Sequence, residues 1–171
     1  MGMDVYGKNA TSEKGEYFRN NIWWWRPLWD YCESIAPDLC ESVSGHSNDG
    51  DGLDETDTAE LARRLSDELS KGHTLAYQNK HNEYRASLPR EDCEYCGATG
   101  IRTDEVGVTH GMETEELSPE LQVLTGRTHG TCNGCNGVGT RENWEASYPF
   151  SVANVAEFVD FLLDCGGFSI C

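Results

Sequence analysis

Cysteines 93 and 96, and again 132 and 135, form two Cys-x-x-Cys pairs, "CEYCGATG" and "CNGCNGVG", each trailed by glycines. A Cys-x-x-Cys turn presents two thiolates at the separation a tetrahedral ion needs, and neighbouring backbone N–H groups stabilise the sulfur charge. Two such turns complete a four-sulfur shell. The spacing therefore predicts one Zn2+ held by Cys93, Cys96, Cys132 and Cys135. Four protein ligands leave no position for water or substrate, so the ion is expected to be structural rather than catalytic. A redox centre would need an exposed thiol of lowered pKa at a helix N-terminus, whereas these pairs sit between turns. Gly97, Gly100, Gly137 and Gly139 let the chain fold back where a Cβ would clash.

The second pair reads Cys-x-x-Cys-x-Gly-x-Gly and resembles the zinc-binding repeat of DnaJ-type chaperones, in which pairs far apart in sequence share one zinc. The first pair departs from that repeat at Ala98, where a glycine is expected. The resemblance covers these two motifs alone. DnaJ-type proteins carry four repeats, and the His-Pro-Asp signature of the J-domain is absent here, so co-chaperone activity does not carry over. On a larger scale, the order "MGMDVYGKN", "YFRNNIWWWRPLWDYC", "GHSNDGDGL", the cysteine pairs and "YPFSVANVAEFVDFLLDCGGFSIC" resembles a group of small proteins encoded by bacteria and their phages. That resemblance implies a phage-linked accessory protein and supplies no activity.

Other residues also have the types for chemistry. In "GHSNDGDGLDETD" the acids resemble an oxygen-rich calcium loop, but the register puts Ser47 first and Thr58 twelfth, where ligands belong. His46 beside Asn48 and Asp49 offers an acid–base pair or half a metal site, and carries the alternative reading of a small enzyme. His110 and His129 flank the stretch between the cysteine pairs, but four sulfurs are better spaced. Cys32, Cys40, Cys165 and Cys171 are expected as small buried hydrophobes. No phosphate loop, nucleophile elbow or dinucleotide fingerprint is present.

The charge bounds the partners. A net charge of −17 over 171 residues argues against direct binding of a phosphate backbone. Between Arg26 and Arg63 stand ten acids and no Lys or Arg, and nothing basic follows Arg141. A carboxylate array offers a basic partner the same sign of field as nucleic acid. The expected function is that of an acidic, zinc-binding interaction protein that modulates a host or phage protein, for example a basic nucleic-acid-binding complex, as an inhibitor or nucleic-acid mimic. Its partner face is assigned to Trp23, Trp24, Asp49, Asp51, Asp54 and Glu55. No apolar run approaches the roughly 18 residues of a membrane span, and the N-terminal residues lack a signal-peptide pattern, so the cytoplasm is expected.

The elements that must position these residues follow from periodicity. Residues 3 to 6 and "GEYFRNN" alternate as strands, with Asn20 and Asn21 as a cap for the helix that follows. The Trp25, Leu28, Trp29, Cys32, Ile35 spacing predicts a helix beginning near Arg26, which keeps Pro27 in its first turn. Residues 43 to 57 read as a loop, and Asp57 with Glu60 as a capping box for a helix that ends at Lys71-Gly72. A second helix runs from His73 to Pro89. "SPELQVL" supplies one helical turn in an otherwise mobile acidic loop. Val155, Phe158, Leu162 and Cys165 share a face of the last helix, and "FSIC" closes as a strand pairing with the first in a small mixed sheet. The expected class is α+β: a small sheet from the terminal strands packed by three to four helices, with residues 1–89 and 141–171 as the core and 90–140 as the zinc-stapled insertion.

Overall fold

A computed structural model describes residues 2–171. The chain is α+β, with eight α-helices and two small antiparallel sheets among the described residues. It divides into two compact units: one made of the residues up to Ala86 together with Ser147–Cys171, the other of Ser87–Ala146.

In the first unit β1 (Gly2–Gly7) is the central strand, between β2 (Tyr17–Asn21) and β5 (Phe168–Ile170). Both pairings are antiparallel, so the sheet is not the mixed one expected, and Phe168 lies opposite Gly7. Alternation sets the faces: Met3, Val5, Phe18, Phe168 and Ile170 are buried, while Tyr6 and Tyr17 stay exposed on the other side. The short α1 (Glu13–Glu16) links the first two strands.

α2 (Ile22–Ile35) starts four residues earlier than its proline suggested. Asn21 Oδ1 accepts the N–H groups of Trp23 and Trp24, at 3.1 and 3.2 Å, and this cap fixes the start. Pro27 consequently lies inside the helix and forfeits the bond to the carbonyl of Trp23, a residue 44% exposed. Burial of Trp25, Pro27, Leu28, Trp29, Tyr31 and Cys32 offsets that loss. Trp25 stacks on Trp29 and meets Phe158 edge-on.

α3 (Pro37–Cys40) follows at once, and a loop then leads to α4 (Glu55–Ser70). Here Asp54, not Asp57, is the cap: its Oδ1 accepts the Asp57 N–H at 2.9 Å. Gly72 with φ +73° ends the segment as expected. α5 (His73–Ser87) turns Tyr77 and His81 toward Phe150. α8 (Val152–Asp164), capped by Ser151, buries Val155, Phe158 and Leu162, and Cys165 just beyond it is buried too. No helix among the described residues is long and apolar enough to cross a membrane.

The second unit has a different interior. Its two-stranded sheet pairs β3 (Glu91–Asp92) with β4 (Thr140–Arg141). The stretch between the cysteine pairs carries α6 (Glu105–Thr109), capped by Asp104, and α7 (Pro119–Thr125), capped by Ser118, with a bridge between Glu116 and His129. Among its described residues the buried apolar side chains are four cysteines and Leu117.

Candidate metal centre

The two Cys-x-x-Cys pairs fold as near copies of one another, 39 residues apart. In the first, the Cys96 and Ala98 N–H groups donate to the Cys93 carbonyl and the Thr99 N–H to that of Cys96. In the second, Cys135 and Gly137 donate to the Cys132 carbonyl and Val138 to that of Cys135. Gly97 and Ala98 are left-handed in one turn, Asn136 and Gly137 in the other. The turns also interlock. A Cβ on Gly100 would collide with the Gly137 carbonyl, and one on Gly139 with the carbonyl of Ala98. The Cys93 N–H donates to the Gly139 carbonyl at 2.9 Å, which joins the turns where β3 and β4 pair.

This interlocking brings four sulfurs together. Cys93 Sγ lies 3.9 Å from Cys132 Sγ, and Cys96 Sγ lies 3.8 Å from Cys135 Sγ. All four lie within 4.8 Å of one another. A tetrahedral ion bound about 2.3 Å from each sulfur sets an S···S edge of about 3.8 Å. The group could therefore hold one metal ion, two of its edges already matching that separation.

The backbone is arranged for anionic sulfur. Gly100 N–H donates to Cys96 Sγ and Gly139 N–H to Cys135 Sγ, each at 3.2 Å. The N–H groups of Tyr95 and Gly134 point likewise at Cys93 and Cys132. Burial works to raise the Cys93 pKa but is outweighed by these donors and the neighbouring thiols, so it falls below its ordinary value. Burial wins at Cys132, whose pKa is raised, and at Cys135, where it is pushed up to about 12. A cation at the centre reverses that balance, because coordination deprotonates a thiol outright.

Two arginines that the cysteine spacing did not single out brace the centre. The Arg102 guanidinium chelates the Asp104 carboxylate, donates to Asn133 Oδ1 at 2.7 Å and lies over the Tyr95 ring at 5.0 Å. Its charge also acts on Cys132. Arg127 donates to the carbonyls of Gly130 and Gly137. They are the only Lys or Arg residues between the two pairs, and that census was the available signal. His110 is exposed, and exposed His129 turns its Nδ1 to Thr128 Oγ1; neither joins the sulfurs.

The remaining assigned residues lie in the first unit. Trp23 is half-exposed against Tyr148, Trp24 is partly buried, and Trp25 is fully buried with its indole N–H donating to the Gly45 carbonyl at 2.7 Å. Asp49 and Glu55 are exposed. Asp51 is used internally: its two oxygens accept the Ser44 and Gly52 N–H groups, both at 2.8 Å. Asp54 is occupied as the α4 cap. His46 and Asp49 do not converge. Asp49 accepts from Ser47, Asn48 donates to the Gly2 carbonyl, and His46 Nε2 lies 3.1 Å from Asp30 Oδ1. Two clefts of this unit open elsewhere, one between α2 and α5 beside Tyr31 and Tyr77, the other beside Asn20 and Asn154. Cys32, Cys40 and Cys165 are buried as expected, but Cys171 is exposed.

No family model matches this chain, and neither a curated protein nor a solved structure does.

Proposed function

We propose that the four thiolates hold one structural Zn2+, and that the chain is an acidic interaction protein that engages a basic, nucleic-acid-binding protein of a host or phage in the cytoplasm. The observation that carries the zinc assignment is the pair of S···S separations, 3.8 and 3.9 Å, equal to the edge of a tetrahedral thiolate site. An all-cysteine shell of this kind favours Zn2+ over the hard cations, which prefer oxygen.

The interaction reading rests on where the acid lies. The first unit carries nineteen acidic and nine basic residues, the second eleven and four, so each presents a negative field of its own. Trp23, Asp49 and Glu55 are exposed; Asp51 and Asp54 serve the backbone and drop out of the partner face. The zinc gives the second unit a fixed shape where its apolar interior is too small to do so.

The test has two parts. Metal analysis of purified protein should give one zinc per chain, and less than one in Cys132→Ser. Capture from host lysate by wild type should then be compared with the double variant Asp49→Lys, Glu55→Lys. The expected result is a basic nucleic-acid-binding protein whose capture is lost on charge reversal and competed by duplex DNA. Capture indifferent to both would overturn the mimic.

A further inference from the structure

We propose that Asp30, Glu33 and His46 form a second cation site, open to solvent, that takes one divalent first-row transition ion. The proposal is independent of the thiolate centre, which lies in the other unit. One nitrogen or oxygen atom from each of the three side chains lies within 4.8 Å of the other two. Three ligands about 2.1 Å from one ion lie about 3.0–3.6 Å from one another, so side-chain shifts of about 1 Å close the shell.

The fold builds this convergence from distant sequence. Asp30 and Glu33 are one turn apart on α2 and share a face. His46 comes from the loop after α3, and the preceding residue fixes its place. A Cβ on Gly45 would overlap the Trp29 indole, and the Gly45 carbonyl accepts the Trp25 indole N–H at 2.7 Å. The loop backbone is thus clamped flat on α2, which delivers the His46 imidazole to Asp30. Glu33 is oriented in turn: its Oε1 accepts the Trp29 indole N–H at 3.0 Å and leaves the second oxygen for an ion. Supporting hydrogen bonds of this kind orient ligands at metal sites generally.

Ligand chemistry selects the cation. The imidazole favours transition ions over Mg2+ and Ca2+, and the two carboxylates balance the charge of a divalent ion. Three protein ligands leave positions for water, unlike the closed shell of the cysteines. With the His46 and Asp30 side chains 40% and 59% exposed, an ion can enter and leave. The nearby cation, Arg26, is engaged by the Tyr148 hydroxyl at 3.3 Å and lies over its ring.

The experiment is calorimetric titration of Zn2+ into full-length protein whose thiolate centre is already filled. Wild type should take up one further equivalent. Asp30→Asn and His46→Asn should each weaken it about tenfold or more, with the first equivalent and the thermal midpoint retained, and Asp49→Asn should leave it unchanged. A Cys132→Ser chain should lose the first equivalent and keep this one. Uptake of no further zinc by wild type, or uptake unaffected by His46→Asn, would overturn the site.

Discussion

Ala98 and Gly137 hold the same left-handed backbone, φ +65° and +80°, at equivalent places in the two cysteine turns. Each donates its N–H to the carbonyl of the first cysteine of its own pair, at 3.2 and 3.3 Å. The turn dictates the conformation, and an alanine adopts it at a steric cost of about 1 kcal/mol. Ala98→Gly is therefore expected to stabilise the metal-loaded second unit by about that amount, read as slower zinc release to a chelator. Gly137→Ala should do the reverse, since its Cβ would also press on Leu117. Faster release from Ala98→Gly would sink the argument.

Thiol reactivity should sort the eight cysteines. Burial holds the Cys32 thiol well above its ordinary pKa and pushes Cys40 up to about 12 and Cys165 up to about 11, whereas Cys171 is exposed. A disulfide reagent at neutral pH is expected to modify Cys171 at once in the zinc-loaded protein, and Cys93, Cys96, Cys132 and Cys135 as well once a chelator is added. Rapid modification of more than one thiol before chelation would contradict the arrangement.

Acid should act on α4 at Glu60. Arg63 first, and Arg64 with it, hold this carboxyl at about 2, below its ordinary 4.5. A depressed value means that the pair contributes above about pH 4.5 and is lost as pH falls through about 2. The expected NMR titration midpoint of Glu60 rises in Arg63→Met. In Arg64→Met it should rise together with that of Asp38, whose carboxyl accepts from the same guanidinium. Unchanged midpoints would show that the pairs do not persist in solution. Being exposed, they are expected to change global stability little.

Gly45→Ala places a methyl group inside the Trp29 indole. Gly45 does not need a left-handed backbone, so the penalty is one of space, about 1–3 kcal/mol for an overpacked contact. A lower denaturant midpoint with an unchanged slope is the expected outcome. An unchanged midpoint would mean that the loop does not rest on α2.

What the sequence shows of this protein depends on the range of the interactions. Period-two alternation placed β1 and β2, and the Val155, Phe158, Leu162 spacing placed α8, because each pattern lies within one element. The two Cys-x-x-Cys pairs were legible because thiol chemistry leaves few uses for that spacing. The start of α2 was misread because the rule against interior proline is local, whereas burial of the tryptophan face is not. Asp54 lost to Asp57 because both precede a residue three places on that suits a first turn, Asp57 and Glu60, whereas the contacts that hold the chain just before Asp54, Lys8 and Phe168 on the Leu53 carbonyl, come from distant sequence. The approach of His46 to Asp30 could not be read at all, since it depends on which surface a loop finds after folding.

The meagre apolar interior of the second unit has a thermal consequence. Opening a unit built around four sulfurs and Leu117 hydrates little hydrocarbon, so it carries a small heat-capacity change and a flat stability curve. With the proposed ion bound, its stability follows the free concentration of that ion through mass action. The first unit, with its aromatic core, has the larger heat-capacity change and answers more steeply to temperature.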